Sequence, residues 1–239
     1  MPFLNYGHTK SRGINNLSWM VLLINGIIKY LRPPSPSYNY RARNVRRWAR
    51  ELIAADSKVL NIGSGATRLV PGIINLDLYA NLHIDIIGDA FLLPIKTESI
   101  DAVICSAVLE HVHDPYKLIS EATRCLKRGG MIYVEVPFLQ PLHMIEVGDY
   151  RRFSRMGLEA LFHEYIILES GICIGPFSVL AWYSRKFMTI FSHSKYLNYF
   201  IEFMSGWLTF WIKYLDIFIA KAKNLDIING GVYLLGQKK

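Results

Sequence analysis

The sequence predicts an α/β fold built on a doubly wound, mostly parallel sheet, and three observations carry that prediction. Short β-rich apolar runs, Val59 to Ile62, Ile73 to Leu76 and Ile84 to Gly88, are each closed by a glycine turn or an acid. This is the pattern of buried parallel strands whose carboxyl ends face a ligand crevice. Two further runs, Ser99 to Cys105 and Met131 to Val136, flank a segment of helical periodicity, and that alternation implies right-handed crossovers.

Size and charge bound the function. At 239 residues the chain suits one domain with attachments, able to bury about 70% of its unfolded surface. The three cysteines, Cys105, Cys125 and Cys173, have no metal or redox spacing and read as small core residues in a reducing cytosol. The net charge of +8 is lopsided: residues 1–50 hold nine Lys or Arg and no acid, whereas the rest holds 18 basic against 19 acidic residues. A localised basic segment points to an anionic surface or phosphate near it, not to nucleic acid.

Residues 1–38 form a basic and apolar N-terminal segment with a proline-rich linker. Its apolar run, Leu17 to Leu31, contains Asn25, Gly26 and Lys29 and falls short of the roughly 20 residues a spanning helix needs. No small-x-small cleavage site follows; Arg32-Pro33-Pro34-Ser35-Pro36 reads as a stiff linker. The run either lies in a membrane interface or packs as a cover on the domain. From Asn39 to Ala55 the periodicity is helical, with Val45, Trp48, Ala49, Leu52 and Ile53 on one face and Arg43, Arg46, Arg47 and Arg50 on another.

After the first strand only about ten residues separate Ile62 from Ile73, near the minimum for a crossover, so any helix there is one or two turns. The turn Gly63-Ser64-Gly65 has two glycines that let a backbone approach a ligand, but lacks the third glycine of a dinucleotide fingerprint, which weakens an NAD reading. Asp77, closing the second strand, stands where an acid accepts both hydroxyls of a ribose; Asp89, closing the third, stands where one accepts from an exocyclic amine. Asp114-Pro115 starts a helix whose buried stripe is Leu118, Ile119, Ala122, Cys125 and Leu126, and Gly129-Gly130 stops it.

The runs VLNIGSG, NLD, GDAFLLPI, SIDAVICSAVLEHVHDP and EATRCLKRGGMIYVEVP, spanning residues 58–137, resemble the class I S-adenosylmethionine-dependent methyltransferases, in particular the type 11 branch. The resemblance implies a seven-stranded Rossmann-like sheet whose last strand is antiparallel, with S-adenosylmethionine over the strand ends. Carried over by position, it sets Gly63, Ser64 and Gly65 at the methionine part, Asp77 at the ribose, Asp89 and Ala90 at the adenine, and Ser106 along the cofactor, with Asn61 and Leu78 also among the cofactor-binding residues. The sequence departs from the family at Asn61, which stands where an acid is usual, at Thr67, where a third glycine is usual, and at Arg128, where LKPGG has proline.

Beyond the fifth strand, His143, then Asp149-Tyr150-Arg151-Arg152-Phe153-Ser154, then Gly157-Leu158 resemble an "H, then DYxRFT, then GL" element of a methyltransferase subgroup with members linked to surface-polysaccharide or glycolipid pathways. The loop follows a strand's carboxyl end, where substrates bind in open sheets. Asp149, Tyr150 and Arg151 are therefore candidate acceptor contacts, and His143 and His111 are candidate general bases.

A helix from Ser154 to Phe162 and a sixth strand from Tyr165 to Ser170 complete a core at 39–175, and Val232 to Leu235 supplies the last strand within 224–239. The insertion at 176–223 holds 14 of the 31 aromatics and reads as helical, either a cap over the acceptor cleft or an amphipathic surface at a lipid interface. The expected activity is methyl transfer to a hydroxyl or amine of a small-molecule or lipid-linked, glycan-like acceptor, by a cytoplasmic protein peripheral on the inner face of the membrane. The competing expectation is a catalytically idle methyltransferase-like module in a membrane glycan-assembly complex.

Overall fold

The computed structural model describes residues 31–239 apart from Lys221 and Lys223. The apolar run at 17–31, save Leu31, and the basic residues before it lie outside the described residues. The chain divides at Pro34–Ser35, within the proline-rich stretch, and the unit from Ser35 to Lys239 holds the sheet and every site below.

Seven strands form one sheet: β1 (Val59–Ile62), β2 (Ile74–Asp77), β3 (Ile86–Ile87), β4 (Ile100–Ser106), β5 (Leu126–Pro137), β6 (Tyr165–Ile174) and β7 (Gly231–Lys238). Their order is β3-β2-β1-β4-β5-β7-β6. The pairs from β3 to β5 are parallel, and β7 runs antiparallel to both of its neighbours. The order reverses between β1 and β4, and a sheet that winds outward in both directions leaves its ligand crevice at that switch point.

Both faces are covered. Helices α2 (Pro115–Cys125) and α3 (Arg155–Leu161) bury Leu118, Ile119, Ala122 and Leu158 against Leu60, Ile62, Val103 and Ile132. On the other face α1 (Ala42–Ala54) sets Val45 and Ala49 against Val59, Ile104 and Tyr133. The helix starts are chemically marked: Asp114 accepts from the Lys117 amide (3.1 Å), Ser154 accepts from the Gly157 amide (3.1 Å), and Asn39 Oδ1 accepts from the Arg41 and Ala42 amides.

Three boundaries differ from the sequence expectations. No helix crosses from β1 to β2: residues 63–73 are turns and bends, because ten residues that must also pass Pro71-Gly72 leave no full helix. Helix α2 ends at Cys125, not at Gly129-Gly130, and β5 begins at Leu126. The pairing jumps from Ile100↔Leu126 to Ala102↔Met131, so Lys127 to Gly130 form an irregularity inside the strand. Strand β6 runs on to Ile174 through two register shifts against β7.

The insertion is helical: α4 (Pro176–Phe187), α5 (Lys195–Thr209) and the short α6 (Asp216–Ile219), linked by 3-10 turns. Asp216, fully buried, ties it to the core by accepting from the Phe177 and Ser178 amides at the start of α4 (2.8 and 2.9 Å) and from the Ser178 hydroxyl (2.6 Å). No helix among the described residues is long and apolar enough to cross a membrane.

Candidate functional site

The site lies along the carboxyl edge of β1, β2, β4 and β5, in two halves. The first begins with the turn after β1. Gly63 and Gly65 adopt φ of +64° and +60°, the left-handed region that glycine enters without steric cost. At Gly63 a side chain is also excluded by packing, since a Cβ would lie 2.4 Å from Val108 Cγ2. The Gly65 amide donates to Asp77 Oδ2 (2.8 Å), and Asp77 Oδ1 accepts from the Tyr79 amide (3.1 Å), so the acid that ends β2 also holds the glycine turn.

A cavity of about 270 Å³ opens beside this turn, lined by Asn39, Arg46, Asn61, Gly63, Ser64, Ser106 and Glu135 among others. Of the sequence candidates it gathers Asn61, Gly63, Ser64 and Ser106. Gly65, Asp77, Leu78, Asp89 and Ala90 lie outside it, along the neighbouring strand ends, where Asp77 pairs in register with Ile87 of β3 and Leu78 and Asp89 are exposed. The cavity thus suits one end of an elongated ligand, being smaller than pockets that enclose drug-sized molecules.

Glu135 is the functional candidate that the sequence reading missed. Its carboxylate accepts from Asn39 Nδ2 (3.1 and 3.2 Å), Ser106 Oγ (2.9 Å) and the Tyr133 hydroxyl (2.5 Å). The signal was an acid inside an apolar strand, Val134-Glu135-Val136. Asn61 is buried and donates to Asn75 Oδ1 (3.1 Å). A carboxylate is therefore present in the cavity, supplied from β5 instead of from position 61. Ser64 Oγ is buried without a hydrogen-bond partner among the described residues and borders the same space.

The second half follows β4 and β5. His111 Nδ1 lies 2.5 Å from the Gly148 carbonyl oxygen, which can only accept, so this nitrogen carries the proton. His111 and His143 meet edge to face with ring centroids 4.9 Å apart, and each presents Nε2 to Glu110 Oε1 at 3.9 Å. Glu110 is fully buried, and burial pushes its pKa up to about 7. Burial likewise lowers the His143 pKa, which keeps that ring neutral at neutral pH.

The Asp149-Tyr150-Arg151-Arg152 stretch divides its labour. Asp149, expected at the acceptor, faces inward: it holds a two-oxygen ion pair with Arg152 and accepts from the His143 amide (2.8 Å). Burial would raise its pKa, but the Arg152 and amide hydrogen bonds outweigh burial and hold it at about 2. Tyr150 is exposed, and Arg151, also exposed, donates to the Val112 carbonyl (3.0 Å).

Residues 62–134 match the methyltransferase domain family. No curated protein sequence matches the chain. Solved structures similar to it include the [4+2]-cyclase SpnF, with 14% identity, coverage of 93% of this chain and 95% of that one, and a TM-score of 0.49. The Haemonchus contortus phosphoethanolamine N-methyltransferase 2, in complex with phosphomonomethylethanolamine and S-adenosylhomocysteine, is 17% identical, covers 80% of this chain and 52% of that one, and has a TM-score of 0.49. Coclaurine N-methyltransferase bound to N-methylheliamine and S-adenosylhomocysteine is 10% identical, covers 81% and 72% of the two chains, and has a TM-score of 0.49. The matched segment contains the glycine turn, β2, β3, β4 and most of β5, and so includes most of the strand ends that border the crevice.

Proposed function

We propose that this chain transfers the methyl group of S-adenosylmethionine to a hydroxyl or amine of a small acceptor, with the donor along β1 and β2 and the acceptor over Glu110, His111 and His143. One observation carries the reading: the Gly63–Gly65 turn, locked to Asp77, stands within a segment that matches the methyltransferase domain. The residues fit the cofactor on observations of their own. Ser64 Oγ has no hydrogen-bond partner among the described residues, and the cavity offers one carboxylate and one guanidinium, the complement of an amino-acid zwitterion.

In this arrangement Glu135 and Asn61 meet the ammonium, Arg46 and the Ser64 hydroxyl meet the carboxylate, Asp77 meets the ribose, and Asp89 and Ala90 meet the adenine. Bound there, S-adenosylmethionine supplies an electrophilic methyl on a sulfonium. The chain's contribution is largely alignment, which in well-oriented reactions supplies several kcal/mol, together with the His143 imidazole, whose lowered pKa suits it to take a hydrogen bond from the acceptor. Isothermal titration of the full chain with S-adenosylmethionine tests this. Micromolar binding that weakens at least tenfold in Asp77→Ala supports it; no binding, or binding indifferent to Asp77, sinks it.

The finer reading of the acceptor, as lipid-linked and met at an anionic membrane surface, draws on the insertion. Phe187, Ile190, Phe191, Tyr196, Leu208 and Phe218 are each more than half exposed there, and apolar and aromatic side chains of this kind suit a lipid interface. The basic excess of residues 1–50 adds charge of the right sign. Flotation with phosphatidylglycerol vesicles at low salt, reduced by Phe191→Ser with Phe218→Ser, is the expected result; a chain that stays at the bottom of the gradient removes the reading.

A further inference from the structure

The acceptor half contains polar atoms that the protein itself does not satisfy. Both carboxylate oxygens of Glu110, Nε2 of His111 and Nδ1 of His143 are buried without a hydrogen-bond partner among the described residues. Glu110 is fully buried, and a buried polar group left unpaired costs about 1–3 kcal/mol, more when charged. A fold does not ordinarily carry several such groups within one cluster unless something else meets them.

The tautomers say what that is. The Gly148 carbonyl fixes the His111 proton on Nδ1, leaving a lone pair on Nε2, which points at a carboxylate oxygen 3.9 Å away. His143 repeats the arrangement: its Nδ1 lies 3.4 Å from Asp149 Oδ2 and its Nε2 faces Glu110 Oε1 at 3.9 Å. Two imidazole lone pairs and a carboxylate thus converge, one ligand atom from each residue lying within 4.8 Å of the others. Lone pairs facing one another at this range repel unless a cation or a proton stands among them.

The surroundings match those of metal-binding histidines. Such residues give their second ring nitrogen to a carbonyl or carboxylate, which fixes the ring and raises its basicity. Gly148 supplies that carbonyl to His111, while Asp149, held by Arg152 and the His143 amide, stands 3.4 Å from His143 Nδ1 without a hydrogen bond and favours a proton there by its charge. The "DYRR" element therefore acts behind the histidines. Gly148, with φ of +98°, sets its carbonyl in a backbone conformation open to glycine.

We propose that Glu110, His111 Nε2 and His143 Nε2 bind one divalent first-row transition ion, of the zinc or ferrous class. Two imidazoles and one carboxylate favour these over magnesium or calcium, which take oxygen ligands. Ion–nitrogen and ion–oxygen bonds of about 2.1 Å at a tetrahedral angle put two ligand atoms about 3.4 Å apart. Each imidazole needs to close on Glu110 by about half an ångström from the observed 3.9 Å, and the two ring nitrogens, within 4.8 Å of each other, by up to about 1.4 Å, which side-chain rotation supplies. Three protein ligands leave at least one coordination position, and an acceptor oxygen is the ligand that fits the reading above. On it the ion would lower the oxygen's proton affinity and fix its place relative to the donor. That role rests on the methyl-transfer reading; the ion site itself does not.

The experiment uses the full chain, stripped with EDTA and titrated with Zn²⁺ by calorimetry and with Co²⁺ followed by visible absorption, whose d–d bands report imidazole ligation. One ion per chain is expected, with affinity falling at least tenfold in Glu110→Gln and in His143→Ala while S-adenosylmethionine affinity stays within about twofold. Should Glu110→Gln fail to fold, His143→Ala, whose side chain is about one-third exposed, decides alone. Binding no tighter than millimolar, or equal in wild type and His143→Ala, overturns the site. A chain that binds the ion but not S-adenosylmethionine keeps the site and removes the methyl-transfer reading; the reverse removes only the site.

Discussion

The two halves of the crevice are built from different materials. The half proposed for the donor is a matter of backbone: two glycines at positive φ, turn amides that donate to the Leu76 carbonyl and to Asp77, and a strand-end acid that holds the turn by a main-chain bond. The acceptor half is a matter of side chains: a buried glutamate, two histidines and an arginine-clamped aspartate, with several polar atoms unpaired within the protein. A backbone cradle is broken by adding atoms, whereas a side-chain cluster is broken by changing charge.

The largest effect is expected from adding one methyl group. Gly63→Ala combines a left-handed backbone, which costs an L-residue roughly 1–2 kcal/mol, with a Cβ 2.4 Å from Val108 Cγ2. A loss of about 3 kcal/mol in stability, read by urea denaturation, and a loss of measurable S-adenosylmethionine binding are expected. Normal binding would show that the turn is not the donor cradle.

The acceptor half should break with pH instead. Asp149, held at about 2 against an ordinary value near 3.9, contributes stability that is complete above pH 4 and is lost as the pH falls through 2. Asp149→Asn should therefore cost about 2–3 kcal/mol at pH 6, and most of the gap from wild type should be gone by pH 2. Chemical denaturation of both proteins across that range checks the sign. A gap constant with pH would mean that the Arg152 pair adds nothing electrostatic.

Glu135→Gln crosses the comparison, because it puts a charge change into the half governed by backbone. If Glu135 replaces the acid missing at Asn61, cofactor affinity should fall about tenfold, equivalent to about 1.4 kcal/mol. Stability should fall by about 1 kcal/mol, since Ser106 and Tyr133 donate to different carboxylate oxygens and only one of the two positions remains an acceptor in the amide. Calorimetric titration decides, and unchanged affinity would leave Glu135 as a bracket between Asn39 and β5.

What the sequence made legible follows the same divide. Strand β1 and the Asp114-Pro115 helix start were readable because local chemistry decides them: an apolar run, a capping acid, a first-turn proline. The turn was readable because only glycine is suited to its conformation and close packing. Strand β3, two residues long, and the early start of β5 depend on pairing with neighbours, which local composition does not encode. Glu110 escaped notice as a site residue, though it stands directly before His111, because its burial and its meeting with His143 arise only when two loops at different strand ends fold together. Asp149 was placed in the right loop and given the wrong direction, since the inward turn at Gly148 is a property of the backbone.

The smallest effect tests the donor half most selectively. Gly65 shares the left-handed conformation of Gly63, with φ of +60°, but a Cβ there would meet no atom within 4 Å. Gly65→Ala thus isolates backbone strain from packing, and about 1 kcal/mol of destabilisation is expected. Its amide still donates to Asp77, so cofactor affinity should fall by less than tenfold. Should Gly65→Ala abolish binding as thoroughly as Gly63→Ala, the space beside Gly65 must be where the cofactor itself lies. The cradle would then extend from the cavity at Gly63 past Gly65 toward Asp77, and the donor would span both sides of the turn.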